Sequence, residues 1–201
     1  MHDYAIFGHS RTTIGRWLGV LSVLISGGIS STFLWMQKET GFEVFSKAVL
    51  STACIYFILH FIFNKYAWKI PFFKIPDING IWEVQGETLS EKNGEIKYTW
   101  NATIDIEQTW EKIIIILKTS KSSSESYTAT LGKKSGTKGG WILHYSYANN
   151  PETEQYHELN SHKGYCELIF DDELKSGKAA YFNSNGRRTF GKMTLTRIHN
   201  D

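Results

Sequence analysis

The hydrophobic pattern of the chain changes character once, near residue 70. Before that point lie two apolar runs, Trp17 to Trp35 (WLGVLSVLISGGISSTFLW) and Val44 to Phe63 (VFSKAVLSTACIYFILHFIF), in which Lys47 is the single fixed charge. At 1.5 Å of rise per residue, about nineteen or twenty residues cover a hydrocarbon core of roughly 30 Å, so each run predicts a transmembrane helix. Tryptophans bound the first run where interface anchors belong, and Lys47 can snorkel from the entrance of the second. The first run is too long, and ends in too bulky a residue, to read as a cleaved signal peptide; a further span follows it.

From Asn79 onward the pattern shortens to strict alternation, broken by Gly, Asn, Ser and charged clusters, with no helical period long enough for a substantial helix. It predicts eight strands: Gly80 to Thr88, Lys97 to Gln108, Lys112 to Ser120, Glu125 to Gly132, Trp141 to Ala148, Ser161 to Asp171, Gly177 to Asn183 and Arg187 to Arg197. Asn185-Gly186 is a favoured type I′ hairpin pair, and every connector suits a meander. The expected fold is therefore two N-terminal transmembrane α-helices followed by an all-β domain, an eight-stranded antiparallel up-and-down β-barrel. Closure removes unpaired edges and leaves an interior for side chains or one small ligand; a sandwich is the other architecture the pattern permits. The predicted organisation is a membrane hairpin over residues 1–70, with spans at about 17–35 and 44–63, a linker over 71–78, and the barrel over 79–201.

Alternation also assigns faces. Trp100, Ala102, Ile104 and Ile106 should point inward, as should Gly191, Met193 and Leu195. Ile113 to Leu117 is apolar on both faces, which suits packing on a neighbour or a partner subunit. Gly80-Ile81-Trp82 with a late Arg197 resembles the closing device of the calycin superfamily, in which the indole plugs the base and the guanidinium stacks on it; both residues are read as structural.

Charge adds orientation. Lys and Arg total 22 against 20 Asp and Glu, too even for a nucleic-acid coat, so no nucleic-acid polymer is expected as partner. Arg11 and Arg16 precede the hairpin and Lys65, Lys69 and Lys74 follow it, whereas the Gln37 to Glu43 connector holds one cation and two anions. Both termini should be cytoplasmic. Small residues at four-residue spacing, Ser22, Ser26 and Ser30 among them, suit helix packing within the hairpin or between copies. Cys54 and Cys166 form no framework, and His157 and His162 lack cysteine partners, so neither a metal site nor a cofactor is expected.

Because the second span leads through Pro71 and Pro76 into the strand of Trp82, that end of the barrel should face the membrane and the other mouth the cytosol. Strand counting gives this mouth Lys92, Lys97, Lys121, Arg187 and Arg188, with Tyr98, Trp100, Tyr127, Tyr145 and Tyr147 near it. Cations beside aromatic faces suit a small phosphorylated aromatic ligand, although the same residues also serve as ordinary core and solvated loop. The long Asn149 to Asn160 loop reads equally as a lid or an insertion.

The short hairpin, the basic link, Pro-Asp-Ile-Asn-Gly-Ile-Trp at 76–82, Tyr181-Phe182-Asn183 and Arg188-Thr189-Phe190-Gly191 together resemble the two-transmembrane β-barrel effectors of CBASS, the bacterial cyclic-oligonucleotide anti-phage system. The resemblance implies a barrel that senses a cyclic dinucleotide made by a cognate nucleotidyltransferase. It also implies homo-oligomerisation of the membrane segments and disruption of the bacterial inner membrane. Asn183, Arg187 and Arg188 fall in the family's polar last hairpin, so the expected ligand-binding residues are Tyr98, Trp100, Tyr127, Tyr145, Asn183, Arg187 and Arg188. No Gly-x-Ser-x-Gly, Walker A or His-Glu-x-x-His signature points to an enzyme. The competing reading is a membrane-anchored lipocalin-like carrier or scaffold for an apolar molecule or a protein.

Overall fold

A computed structural model of the protein describes residues 1–40, 51–134, 140–151, 161–184 and 188–198. They divide into two compact units, His9–Phe73 and the union of Met1–Gly8 with the chain from Lys74 onward.

The first of these is helical. Helix α1 spans Arg11–Thr40 and is long and apolar enough to cross a membrane. Ser10 opens it: the Ser10 hydroxyl accepts the Thr13 amide at 3.2 Å, supplying a partner for a first-turn N–H that the helix itself cannot satisfy. Within the apolar stretch, Ser22 Oγ donates to Gly19 O at 2.7 Å and Ser30 Oγ to Ser26 O at 2.9 Å. These hydroxyls are thus satisfied on their own helix and can face an apolar surface. Helix α2 covers Thr52–Lys65, capped by Ser51, whose hydroxyl accepts the Cys54 amide at 3.3 Å. Part of the second expected span, 44–63, lies outside the described residues, and α2 is 14 residues long. One described helix, not two, has spanning length.

The other unit is a closed sheet of nine strands: β1 (His2–Ile6), β2 (Gly80–Leu89), β3 (Ile96–Gln108), β4 (Lys112–Lys118), β5 (Ser122–Lys133), β6 (Trp141–Pro151), β7 (His162–Phe170), β8 (Ser176–Ser184) and β9 (Phe190–Arg197). Their order is β1-β4-β3-β2-β9-β8-β7-β6-β5, and the ring shuts because β4 also pairs with β5. From β2 to β9 each strand runs antiparallel to the next, with β9 returning to β2.

The expected count of eight strands is one short. Strand β1 sits in the N-terminal stretch that the hydrophobic pattern assigns to the membrane hairpin. Its five residues offer only Tyr4 and Ile6 as an alternating apolar pair, and its partners lie more than a hundred positions away. Nothing local marks such a segment as a strand; its pairing partners do. It wedges into the β4/β5 seam, pairing His2 with Ile113 and Asp3 with Lys112 on one side, and Tyr4, Ala5 and Ile6 with Ala129, Thr130 and Leu131 on the other. Beyond the wedge, β4 and β5 meet directly through Ile116 with Glu125, Leu117 with Ser124 and Lys118 with Ser123.

One end of the ring is filled. Trp82 is fully buried, tilts against Phe170 at 4.9 Å between ring centroids, and donates its indole N–H to Ile78 O at 3.3 Å. The Arg197 guanidinium lies over the indole at 5.4 Å and donates to Asn79 O. Gly80, with φ +124°, lets the backbone turn beneath that guanidinium in a conformation disfavoured for any side chain. Ile104, Ile106, Leu131, Leu143, Leu168 and Leu195 complete this core. On β4, Ile113, Ile114 and Ile115 are all buried and Ile116 is half-buried, so the strand that is apolar on both faces is covered on its outer side at Ile114 and partly at Ile116.

Candidate ligand-binding site

The opposite end of the ring is hollow. A recess of about 520 Å³ opens there, within the 300–1,000 Å³ typical of small-molecule pockets. Strand alternation creates it: the inward positions carry Trp82, Ile104, Ile106, Leu143 and Leu195 near the filled end on β2, β3, β6 and β9, with small Gly177 and Ala179 on β8, and carry Thr88, Trp100, Tyr145, Tyr147, Tyr181 and Gly191 near this one.

Three large rings fit inside because each lies against a glycine directly across the sheet. Trp100 pairs with Gly86, Tyr147 with Gly164 and Tyr181 with Gly191. A Cβ on Gly86 would come within 2.2 Å of the Trp100 indole, and one on Gly164 within 2.3 Å of Tyr147 Cζ. At Gly191 it would meet the Glu87 carbonyl oxygen and, at 2.8 Å, the Tyr181 ring. Bare backbone is what leaves room for each ring and for the hollow beside it. Tyr145 follows the same logic with small neighbours, Ala129 and Cys166.

Hydrogen bonds hold these rings. Thr88 Oγ1 accepts the Trp100 indole N–H at 3.3 Å and bonds the Tyr181 hydroxyl at 2.8 Å, while the two rings meet edge-on at 5.8 Å. Tyr147 donates its hydroxyl to Asn183 Oδ1 at 2.6 Å, and Asn183 Nδ2 donates to Thr189 Oγ1 at 2.7 Å. The Asn183 amide is thereby oriented with one N–H and one lone pair remaining for a guest. Burial raises the pKa of Tyr145 and of Tyr147, in both cases reinforced by neighbouring Cys166, and burial also pushes the Cys166 thiol up to about 12. All three stay protonated at neutral pH. The recess thus presents flat faces and neutral donors; among the described lining residues Lys121 is the one permanent cation.

Of the residues expected from sequence, Tyr98, Trp100, Tyr145 and Asn183 come together on this recess. Tyr127 does not. Counting back from inward Leu131 and Ala129 would turn it inside, but a bulge between Ser126 and Thr128 shifts the alternation, leaving Tyr127 46 % exposed with Lys163 Nζ over its ring at 5.9 Å. Arg188 is exposed and is not among the lining residues, and Arg187 lies outside the described residues. Sequence reasoning missed Thr88, Asn149, His162, Tyr181 and Thr189, and left Tyr147 out of the site although it named the residue near the mouth. The available signal was parity: Thr88 continues the inward series of Trp82, Val84 and Gly86, and Tyr181 that of Gly177 and Ala179.

A ring plugged at one end and hollow at the other, with flat faces and fixed neutral donors in the hollow, has the form of a small-molecule receptor, and one helix of the same chain has the length and apolarity to cross a membrane. Comparison with known proteins narrows the class. Residues 73–197 match the family described as "Cap15, cyclic dinucleotide receptor domain", and residues 12–69 match "Cap15, TM helices". The chain belongs to the Cap15 family, the CBASS effectors whose layout its sequence resembles. It is 36 % identical to CD-NTase-associated protein 15 of Yersinia aleksiciae, an alignment covering 98 % of this chain and 97 % of the relative. It is 26 % identical to CD-NTase-associated protein 15 of Staphylococcus schleiferi, over 68 % of this chain and 71 % of that one.

Proposed function

We propose that the recess is the cyclic dinucleotide site. Trp100, Tyr147 and Tyr181 would stack on or flank the bases, and Thr88, Asn183 and the neutral phenols would bond base edges and phosphate oxygens. The observation that carries this reading is the set of three rings laid on glycines around a 520 Å³ hollow, which serves planar guests. Arg188, exposed beside Thr189, and Arg187 in the same hairpin would reach the phosphates from the rim.

In the same reading the ring is a cytoplasmic β-barrel sensor joined by a linker at about residues 71–78 to a two-pass hairpin in the bacterial inner membrane, with both termini cytoplasmic. A cognate nucleotidyltransferase supplies the ligand, binding drives self-association of the transmembrane segments, and the assembly disrupts the membrane without chemistry of its own. Support comes from the basic flanks of the hairpin and from the family to which the chain belongs.

The test is thermal unfolding of the full-length protein in detergent against a panel of cyclic dinucleotides. At 100 times its dissociation constant, a true ligand adds about 2.7 kcal/mol. Near-neutral polarity in the lining favours one rival, a carrier of an uncharged apolar molecule. A shift with medium-chain fatty alcohols and none with any cyclic dinucleotide would replace the sensor reading with that one.

A further inference from the structure

We propose that the β4/β5 seam is an acceptor for an extended strand, and that in the self-associated protein it receives His2–Ile6 of a second copy. This rests on the self-association reading above. The strand lies outside both matched segments, 12–69 and 73–197, so neither family description accounts for it.

The seam is lightly tied where its two strands meet directly. Strands β4 and β5 share only the three direct pairs from Ile116 to Lys118. At the fork, the Ser126 hydroxyl accepts the Ile115 amide at 2.9 Å, in place of a ladder partner, and bonds His2 Nε2 at 2.8 Å. Take β1 away, and backbone groups on both flanking strands lose their partners; such open edges recruit a strand.

What the seam recruits is specified. Tyr4 is 3 % exposed; its hydroxyl donates to Thr109 O and accepts from Gln108 Nε2, each at 3.0 Å. Gln108 Oε1 in turn accepts the Ile78 amide at 3.0 Å, so the inserted tyrosine completes a chain of bonds at the plugged end. The Phe7 amide donates to Leu131 O at 2.8 Å, and its ring rests where a Cβ on Gly132 would meet it at 2.7 Å. An unrelated strand would leave these groups unsatisfied. The occupant with the matching sequence is the N-terminus of this same protein, from its own chain or from a neighbour.

Two features favour the neighbour once copies associate. In its own ring β1 must close a loop through the whole helical unit, whereas copies held in one membrane present N-termini at high local concentration. The connector Phe7–Ser10 reaches about 14 Å, more than the roughly 8–10 Å between packed helices, and pivots at Gly8, whose φ is +75°. Exchange of an identical element is a low-cost route to assembly.

Asp3 and Lys112 are exposed, directly paired positions, and the buried Cys166 thiol does not compete. Two differently tagged full-length chains, both Cys54→Ser, one with Asp3→Cys and the other with Lys112→Cys, are reconstituted together in vesicles and oxidised gently with and without a panel of 3′,3′-cyclic dinucleotides. Strand exchange gives a disulfide joining the two tags when ligand is present. Ala5→Pro in the donor chain, which removes the amide facing Thr130, abolishes that band, while the same change in the acceptor chain preserves it. An amine-reactive cross-linker run in parallel reads self-association alone. Self-association without the mixed disulfide overturns the exchange and spares the parent reading; absence of self-association overturns both. A chain carrying Asp3→Cys and Lys112→Cys together checks that the strand and seam fold, by forming the internal bond in the unliganded state. Persistence of only that internal bond in the ligand-bound, associated protein also overturns the exchange.

Discussion

Gly164→Ala is the sharpest test of how the recess is built. The new methyl would sit 2.3 Å from Tyr147 Cζ, 2.4 Å from its hydroxyl and 2.7 Å from Asn183 Oδ1, whereas ordinary contact begins at 3.4 Å. The ring must therefore withdraw by about an ångström, which parts Tyr147 from Asn183. Overpacking of this kind costs roughly 1–3 kcal/mol and the lost hydrogen bond about 1 kcal/mol more. A unit of this size loses roughly 3–5 °C of melting temperature per kcal/mol, so the expected fall is about 6–20 °C. A ring that escapes by swinging into the hollow lowers this to about 1 kcal/mol but fills the space meant for the guest. Both routes remove the ligand-induced shift. Tyr147→Phe is the companion variant: it deletes the hydroxyl bond without a clash, costs about 1 kcal/mol and keeps the hollow open. Thermal unfolding of full-length protein with and without cyclic dinucleotide reads all of these. A Gly164→Ala protein that melts with the wild type and retains the full ligand shift would refute the glycine-floor account.

Three further expectations follow from the same geometry. Trp82→Ala should cost about 3–5 kcal/mol and Arg197→Ala about 1–2 kcal/mol, because the indole fills the plugged end while the guanidinium only covers it; equal losses in chemical denaturation would contradict that ranking. Cys166, Tyr145 and Tyr147 all have folded pKa values above their unfolded ones, the thiol moving from 9.0 to about 12, so their contribution is intact below the unfolded values and is lost as pH rises towards the folded ones. Melting temperature should accordingly fall from about pH 9 upward, less steeply for Cys166→Ala, and an unchanged slope in that variant would count against the assignment. Finally, Trp100→Ala should abolish the ligand shift and Tyr127→Ala leave it intact, since only the first ring lines the recess; loss in both would place the site elsewhere.

Much of the fold was readable from alternation. The inward sets Trp100 to Ile106 and Gly191 to Leu195 follow a period of two through strands long enough to establish it, and the Trp82 and Arg197 plug is marked by residue type at both chain positions. Strand β1 was not readable, because five residues carry too little pattern and their pairing energy resides in distant strands. Tyr127 lies off the recess because one bulge shifts the alternation, and no residue around Ser126 announces it. The glycine partners illustrate an intermediate case. That Gly86 and Trp100 both face inward is plain from their strands, but that they lie opposite each other depends on register across the turn. For Tyr147 and Gly164 that register spans the long connection after β6. Arg188 shows the same limit: residue type indicates what a side chain could bind, while its exposure emerges only in three dimensions.

The glycines beneath Trp100, Tyr147 and Tyr181 have an evolutionary corollary. A planar group resting on peptide backbone can be traded for another planar group without disturbing the strands below, so selectivity among signals can drift by swapping what lies on top. Positions 86, 164 and 191 act as a fixed workbench and positions 100, 147 and 181 as interchangeable tools. Relatives that answer different messengers should diverge at the second set while staying invariant at the first.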